Sequence, residues 1–225
     1  MLNWALRYLP IVEELNKLPA HYVLDVGSGE HGISKWLTTS SVVQTDISLS
    51  RTPNCKNAVG LRADSTKLPF VDHGFDVTTS VDLFEHLTPS ARTATLVEIA
   101  RVTRSHLFIA FPCGPPADRA DELLERWLRF CRRPVPPWLR EHRDFPYPTE
   151  ETIFGAVPAG WRVAGTWLDD GLRVHTALTI LEHTPLIHRF VSRYPVALLP
   201  KWLLRPVPSN GYRRVFHLDR TNHSA

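Results

Sequence analysis

The sequence contains few cysteines, and their spacing excludes two kinds of structure. Cys55, Cys113 and Cys131 are odd in number, far apart and never in a C-x-x-C arrangement. This pattern is not typical of a disulfide framework or a zinc site, so we expect no metal and a protein that works in the reducing cytoplasm. Each thiol is expected to be a small buried or half-buried side chain.

Long apolar runs and a strong charge imbalance are also missing. No stretch of about 18 uninterrupted apolar residues occurs, so no membrane-spanning helix is expected. The net charge of +3 is too small to indicate nucleic-acid binding. Residues 1–18 are amphipathic and lack a cleavage-site signature, which predicts an N-terminal helix rather than a signal peptide. With 225 residues, 43% of them hydrophobic, we expect a single globular domain over residues 1–225.

The most informative feature that is present is a glycine turn after an apolar segment. Gly27, Gly29 and Gly32 match the dinucleotide pattern G-x-G-x-x-G. Asp46 follows about 20 residues later, as an NAD-dependent oxidoreductase would require. Asp25, two residues before the first glycine, favours another ligand, because a carboxylate there repels a pyrophosphate but suits an ammonium group. S-adenosylmethionine carries an ammonium, a sulfonium and a ribose that an acidic side chain can hold.

Strand and helix patterns alternate over the first 112 residues and return near the end of the chain. The predicted strands cover residues 21–26, 42–45, 58–62, 75–81, 106–111, 161–168 and 212–218. A helix is predicted to begin over Ile33 to Leu37, and another at Thr88, running to about Arg101. This alternation is typical of a parallel sheet that helices cover on both faces.

Three acidic residues fall at the carboxyl ends of these predicted strands. They are Asp46, Asp64 and Asp82. Ligands bind such sheets at the carboxyl ends of the strands, near the point where the strand order reverses. The repeated placement therefore predicts a binding site at that edge.

After Pro112 the composition changes. Residues 114–150 are rich in proline and arginine, and we expect them to form an inserted lid or acceptor segment over the carboxyl edge of the sheet. Residues 138–147 concentrate aromatic and charged side chains, which either contact an acceptor or form an ordinary surface loop. Residues 185–206 combine basic, aromatic and apolar side chains. They predict a helical cover, with an interfacial segment at a membrane surface as the alternative.

The ordered motifs of the first half resemble class I S-adenosylmethionine-dependent methyltransferases, in the branch similar to ubiquinone and menaquinone biosynthesis methyltransferases. The motifs lie at residues 23–29, 44–48, 63–70 and 75–87. The chain departs from the pattern at His31, which occupies the usual position of the third glycine. The resemblance implies a Rossmann-like α/β fold with a doubly wound seven-stranded sheet, mostly parallel, with the last strand antiparallel.

The resemblance also implies S-adenosyl-L-methionine as the cofactor and assigns its contacts. They are Asp25, Gly27, Ser28, Gly29, Asp46, Ile47, Asp64, Ser65, Val81 and Asp82. Asp46 would accept hydrogen bonds from both ribose hydroxyls, Ile47 would pack on the adenine, and Asp64 would accept from its exocyclic amine. Val81 and Asp82 would lie beneath the sulfonium.

Methyl transfer needs a base only when the acceptor is a poor nucleophile such as a hydroxyl. His86 and His142 are the candidate bases, since imidazole accepts protons near neutral pH. A structural role for His86 against the following helix is the alternative. Candidate acceptor contacts are Trp138, Arg143 and Tyr147.

We therefore expect methyl transfer to oxygen of a small-molecule, glycan or lipid-linked acceptor, with peripheral contact to a membrane surface left open. One alternative is a C-methyltransferase of an isoprenoid quinone, which predicts a deep apolar pocket and no base. A module that has lost turnover is another.

Overall fold

The structure, a computed structural model, describes residues 2–50, 53–142, 144–184, 200 and 205–221. Most of the predicted cover over residues 185–206 and the candidate contact Arg143 therefore lie outside the described residues. None of the described helices is long and apolar enough to cross a membrane.

The described residues form a seven-stranded sheet. Its strands are β1 (Tyr22–Val26), β2 (Ser41–Asp46), β3 (Ala58–Arg62), β4 (Phe75–Val81), β5 (Thr103–Pro112), β6 (Trp161–Gly171) and β7 (Gly211–Arg220). The spatial order is β3-β2-β1-β4-β5-β7-β6, and β7 runs antiparallel to both of its neighbours. The strand order reverses between β1 and β4, which is where such sheets bind ligands. The prediction of a mostly parallel, doubly wound sheet is confirmed.

Helices pack on both faces of this sheet. They are α1 (Leu2–Leu15), α2 (Pro89–Val102), α3 (Gly114–Phe130), α4 (Pro137–Glu141), α5 (Glu150–Phe154) and α6 (Leu172–Glu182). The helix predicted from Thr88 begins there, because the Thr88 hydroxyl accepts a hydrogen bond from the Ala91 N–H at 3.2 Å and Pro89 fills the first turn.

Successive residues of β1 divide the core between the two faces. Val23 belongs to a buried cluster with Ile11 and Leu15 of α1, whereas Leu24 belongs to a second cluster that includes Leu96 and Ile99 of α2. Side chains alternate across a strand, so a continuous apolar segment is what a doubly covered central strand requires.

The helix predicted over Ile33 to Leu37 is a single 3-10 turn, Ser34–Trp36. Two physical reasons account for this. The Thr-Thr-Ser sequence that follows is a poor helix former, and the Ser34 hydroxyl donates to Oε1 of Gln44 at 2.6 Å. Residues 63–74, between β3 and β4, also lack a helix, and the β3 edge leaves Val59 65% exposed.

Candidate functional site

A cavity of about 630 Å³ opens at the carboxyl ends of β1, β2 and β4. It lies where the strand order reverses, and a volume of this size is typical of a small-molecule site. The sequence-predicted residues that line this larger cavity are Gly27, Ser28, Gly29, Asp46, Ile47, Val81, Asp82 and His86. The structure thus brings most of the predicted cofactor contacts together.

The glycine turn borders this cavity with bare backbone. Gly27, Gly29 and Gly32 all have positive φ, between +49° and +73°. A Cβ at Gly29 would meet nothing within 4 Å, whereas a Cβ at Gly32 would lie 1.5 Å from Nε2 of Gln44. Gly29 therefore leaves space for a ligand, while Gly32 leaves space for the protein's own packing.

Asp25 lies beneath the turn and is not among the residues that line the described cavities. Its Oδ2 accepts the Ile33 N–H at 2.8 Å, and its Oδ1 accepts the Thr79 hydroxyl at 2.9 Å. Complete burial raises the pKa of this carboxyl to about 7 despite those hydrogen bonds. The geometry fits the predicted role in orienting the turn and gives no direct contact with the cavity.

Asp46 and Ile47 reach the cavity from the end of β2. Asp46 Oδ2 accepts the Gly29 N–H at 2.9 Å, and Oδ1 accepts the backbone N–H and hydroxyl of Ser48. Ile47 is 64% exposed, which is unusual for its type and leaves an apolar surface for a planar ligand.

A small cavity of about 80 Å³ continues past Ile47, and Asp64 and Ser65 are among its lining residues. Asp64 accepts from the backbone N–H and hydroxyl of Thr66, which hold the pKa of this carboxyl below its usual value. An anionic acceptor therefore lies where the end of a bound nucleoside would be expected.

Asp82 follows β4 with a left-handed backbone (φ +53°) and is held by two arginines. Nε and Nη2 of the fully buried Arg213 donate to its two oxygens at 2.6 and 2.9 Å, and Nη1 of Arg7 lies 3.0 Å from Oδ2. Burial alone would raise the pKa of Asp82, but the two guanidiniums outweigh it and keep the carboxyl ionised. Sequence reasoning missed both arginines; a charged residue within the apolar pattern of the last strand was the available signal for Arg213.

A second cavity of about 370 Å³ adjoins the first, and the two share Arg7, Asp82 and His86 among their lining residues. Its other lining residues are Asn3, Glu85, Pro112, Trp138, His142, His175, Thr179, Glu182, His183 and Tyr212. The wall of this second cavity is therefore dominated by polar and titratable side chains rather than aliphatic ones. Sequence reasoning had not singled out His175 or Tyr212.

His86 stands at the junction of the two cavities. Its Nδ1 lies 3.0 Å from Oε2 of Glu141, and its ring is 4.8 Å from the ring of His142. Burial and the neighbouring His142 lower the pKa of His86, and these effects outweigh the opposing carboxylates Glu141 and Asp82. A neutral imidazole at neutral pH suits either proton acceptance or metal binding.

His142 belongs to a buried hydrogen-bond network beneath the second cavity. Its Nδ1 lies 2.8 Å from Oδ2 of Asp121 and 2.8 Å from the Tyr147 hydroxyl, which itself donates to Asp121. The Tyr212 hydroxyl donates to Oδ1 of Asp121 at 3.3 Å. Of the predicted acceptor contacts, Trp138 lines the second cavity, whereas Tyr147 is buried in this network and is not among the lining residues.

A comparison with known protein families finds a match, which lies in the first half of the chain. Residues 24–111 match the family described as a methyltransferase domain. The match runs from β1 to β5 and includes the glycine turn, Asp46, Asp64 and Asp82. No curated protein shows a significant match to the sequence.

Solved structures share the fold over nearly the whole chain. A structure from work on the conversion of a disulfide bond into a thioacetal group during echinomycin biosynthesis has a TM-score of 0.61 at 14% identity, covering 96% of this chain and 82% of that chain. Magnesium protoporphyrin IX methyltransferase from Synechocystis PCC 6803 with bound SAH has a TM-score of 0.53 at 13% identity, covering 97% and 83%. A protein from Pyrococcus horikoshii OT3 has a TM-score of 0.57 at 17% identity, covering 97% and 90%. At these identities the likeness shows a common fold.

Proposed function

We propose that this chain, an S-adenosyl-L-methionine-dependent methyltransferase, transfers the methyl group to an oxygen atom of a polar small-molecule or glycan-type acceptor. The observation that carries the proposal is the junction of two cavities at Arg7, Asp82 and His86. One cavity has the features that a nucleoside cofactor needs, and the other is lined by groups that handle hydroxyls and protons.

The larger cavity fits the cofactor residue by residue. The open backbone at Gly29 would lie against the methionine part. Asp46 would hold the ribose, since it accepts three hydrogen bonds already and one of its about four lone-pair sites, on Oδ2, is left for a ribose hydroxyl. Ile47 would cover one face of the adenine, and Asp64 with Ser65 would border its far end. Bound there, the cofactor supplies a methyl group on a sulfonium that needs no further activation.

Asp82 would serve two purposes at the junction. It would border the space beneath the sulfonium, and its bonds to Arg213 and Arg7, which offset its negative charge, fix it in place before the cofactor binds. Positioning of donor and acceptor accounts for most of the rate in such in-line displacements. The fixed carboxylate therefore contributes orientation rather than proton transfer.

The nature of the second cavity favours an oxygen acceptor over a quinone carbon. A C-methyltransferase of an isoprenoid quinone predicts a deep apolar pocket without a base, yet the described wall contains histidines, carboxyl groups and an asparagine. A hydroxyl acceptor needs such groups, because it must lose a proton as it gains the methyl group. The same polar wall supports a glycan-type acceptor. A lipid-linked form of that acceptor is part of the proposal because residues 185–206 combine basic, aromatic and apolar side chains.

The test is the position of the transferred label. The enzyme is incubated with methyl-labelled cofactor and fractionated small-molecule and glycan acceptors, and the product is examined by mass spectrometry and NMR. A methyl ether supports the proposal, whereas a methyl group on carbon would transfer support to the quinone-type alternative. His86→Ala should lower turnover and leave S-adenosylhomocysteine affinity nearly unchanged; unaltered turnover would return His86 to a structural role.

A further inference from the structure

Three metal-binding side chains converge in the wall of the second cavity. Glu85, His86 and His142 each offer one donor atom, and these atoms all lie within 4.8 Å of one another. The side chains of Glu85 and His142 are only 1% and 4% exposed. The sequence-based expectation of no metal rested on the cysteine spacing, and it did not consider that His142, far along the chain, could meet the other two residues.

Each histidine has a carboxylate beside one ring nitrogen. Nδ1 of His142 hydrogen-bonds to the buried carboxylate of Asp121 at 2.8 Å, whereas Nδ1 of His86 lies 3.0 Å from Oε2 of Glu141 without the geometry of a hydrogen bond. Histidine ligands commonly present one ring N–H to a carboxylate, which fixes the tautomer and leaves the other nitrogen for the metal. In both cases that other nitrogen is Nε2, and Nε2 of His86 lies 4.0 Å from Oε1 of Glu85.

One carboxyl oxygen of the third residue lacks a partner within the described part of the chain. Among the described residues, Oε2 of Glu85 accepts no hydrogen bond although it is shielded from solvent. A buried carboxylate is costly unless it is paired, hydrogen-bonded or bound to a metal ion. A cation at the point where the three side chains meet would satisfy this oxygen.

We propose that Glu85, His86 and His142 bind a divalent transition-metal ion, with Zn²⁺ as the first candidate. Two imidazoles and one carboxylate form a donor set typical of catalytic zinc sites, which keep a fourth position open. Bonds of about 2.0–2.1 Å place tetrahedral donors about 3.4 Å apart, so the three side chains must close by about 1 Å on binding. All three line the second cavity, and the open position therefore faces it.

The role of this ion rests on the proposed function. A hydroxyl bound at the open position loses its proton more readily, as a zinc-bound water does, and the proton passes to solvent. The resulting oxygen forms a bond to the methyl carbon while the carbon–sulfur bond breaks and its electron pair stays on sulfur. In this scheme His86 and His142 are ligands, and the acceptor class is an alcohol, diol or phenol.

The experiment measures metal binding directly, without an acceptor. Untagged full-length protein is freed of metal with a chelator and titrated with Zn²⁺ by calorimetry and with Co²⁺ by visible absorption. We expect one ion per chain and the intense d–d bands of a four-coordinate site. A wild-type protein that binds neither ion stoichiometrically overturns the proposal, whether or not any variant folds.

Variants then assign the ligands. Glu85→Gln and His142→Ala should each weaken binding by more than about 100-fold, and Asp121→Asn by about 10- to 100-fold through the orientation of His142. His106→Gln is the matched control, because His106 and His217 form another histidine pair, with ring nitrogens 3.1 Å apart, away from this cluster. Affinity within twofold of wild type is expected for it. Equal affinity in all variants, each shown to be folded by circular dichroism and S-adenosylhomocysteine binding, contradicts the assignment.

The two proposals fail separately. If the protein methylates oxygen but binds no metal, the proposed function stands and the metal site is rejected. If the protein binds one ion per chain but methylates carbon, the metal site stands. The oxygen acceptor and the role given to the ion are then both rejected.

Discussion

The larger cavity and the second cavity are built in different ways. Two carboxylates on the cofactor side are held within single turns: Asp46 by Ser48 two residues away, and Asp64, in the small adjoining cavity, by Thr66. The second cavity depends on contacts between distant parts of the chain, such as Tyr212 with Asp121, 91 residues apart. Much of the part of the site that would bind the cofactor is thus encoded locally, and the part that would choose an acceptor is encoded by tertiary packing.

The strongest test of this contrast is the contact that joins the two regions. Arg213→Met removes a fully buried guanidinium and leaves Asp82, 131 residues earlier in the chain, with Arg7 alone. Breaking a buried ion pair costs about 3–5 kcal/mol of unfolding free energy, which urea denaturation would measure. Arg162→Met is the control, because Arg162 is exposed and its pair with Asp219 is screened by solvent, so its loss should cost far less. Equal losses in the two variants would mean that the buried pair does not hold the regions together.

Substitutions at two glycines of the same turn should affect different properties, stability at Gly32 and ligand binding at Gly29. Gly32→Ala places a Cβ against the side chain of the buried Gln44 and should cost about 2–3 kcal/mol of unfolding free energy. Gly29→Ala meets open space and should cost only the backbone strain of about 1–2 kcal/mol, while weakening S-adenosylhomocysteine binding. Thermal unfolding and calorimetry check both, and the reverse order of stability would contradict the assignment of roles.

The carboxyl of Asp25 should make stability depend on pH. Its pKa is about 7 in the folded protein and about 3.8 when unfolded, so the native state keeps a proton that the unfolded chain has lost. The stabilisation is therefore complete below about pH 4 and is lost as pH rises through 7, with a slope of at most about 1.4 kcal/mol per pH unit.

Asp25→Asn removes this dependence. Between pH 5 and pH 7 the wild type should lose about 2 kcal/mol relative to the variant, measured as the difference between their urea unfolding free energies. A constant difference across this range would mean that the buried carboxyl is ionised throughout. Because Asp25 contacts the turn and β4 and does not line the second cavity, the acceptor region should not respond.

Features that local sequence determines could be predicted, whereas features that depend on tertiary packing could not. The bounds of β3 and β4 were predicted to the residue and the Thr88 helix start was confirmed, because alternation, capping and turn chemistry are local signals. The helix predicted from Ile33 is only one turn long. The prediction failed there because the hydrogen bond of Ser34 with Gln44 forms between residues that only the folded sheet brings together.

Site residues show the limit more clearly. Asp46 and Ile47, which the motifs predicted as cofactor contacts, line the larger cavity. Tyr147, predicted as an acceptor contact, hydrogen-bonds instead to Asp121 in the buried network. Periodicity reports which face of an element is buried, and not which distant side chain it meets, so the network around Asp121 had no sequence signal.

Substitution of Asp46 should have a smaller effect, limited to the affinity for the cofactor. Asp46→Ala should weaken S-adenosylhomocysteine binding by tenfold or more, about 1.4 kcal/mol or above, since charge-assisted bonds to the ribose would be lost. Ser48→Ala is the control. It removes the Ser48 hydroxyl that holds Asp46 but keeps the carboxylate, which still accepts the Gly29 N–H, so it measures the effect of loosening Asp46 alone. Similar affinity in the wild type and Asp46→Ala, by calorimetry, would count against the ribose assignment.

The smallest expected effect lies in the acceptor region and should leave the cofactor unaffected. Tyr147→Phe removes one hydroxyl from Asp121 while His142 and Tyr212 still contact that carboxylate, so about 1 kcal/mol of stability should be lost. Tyr22→Phe, at a 57% exposed position, should cost almost nothing. If Tyr147→Phe also weakened S-adenosylhomocysteine binding, the network would extend into the larger cavity, and the two regions could no longer be treated as separately encoded. Unchanged cofactor affinity with altered turnover would instead place Asp121 and its partners wholly on the acceptor side.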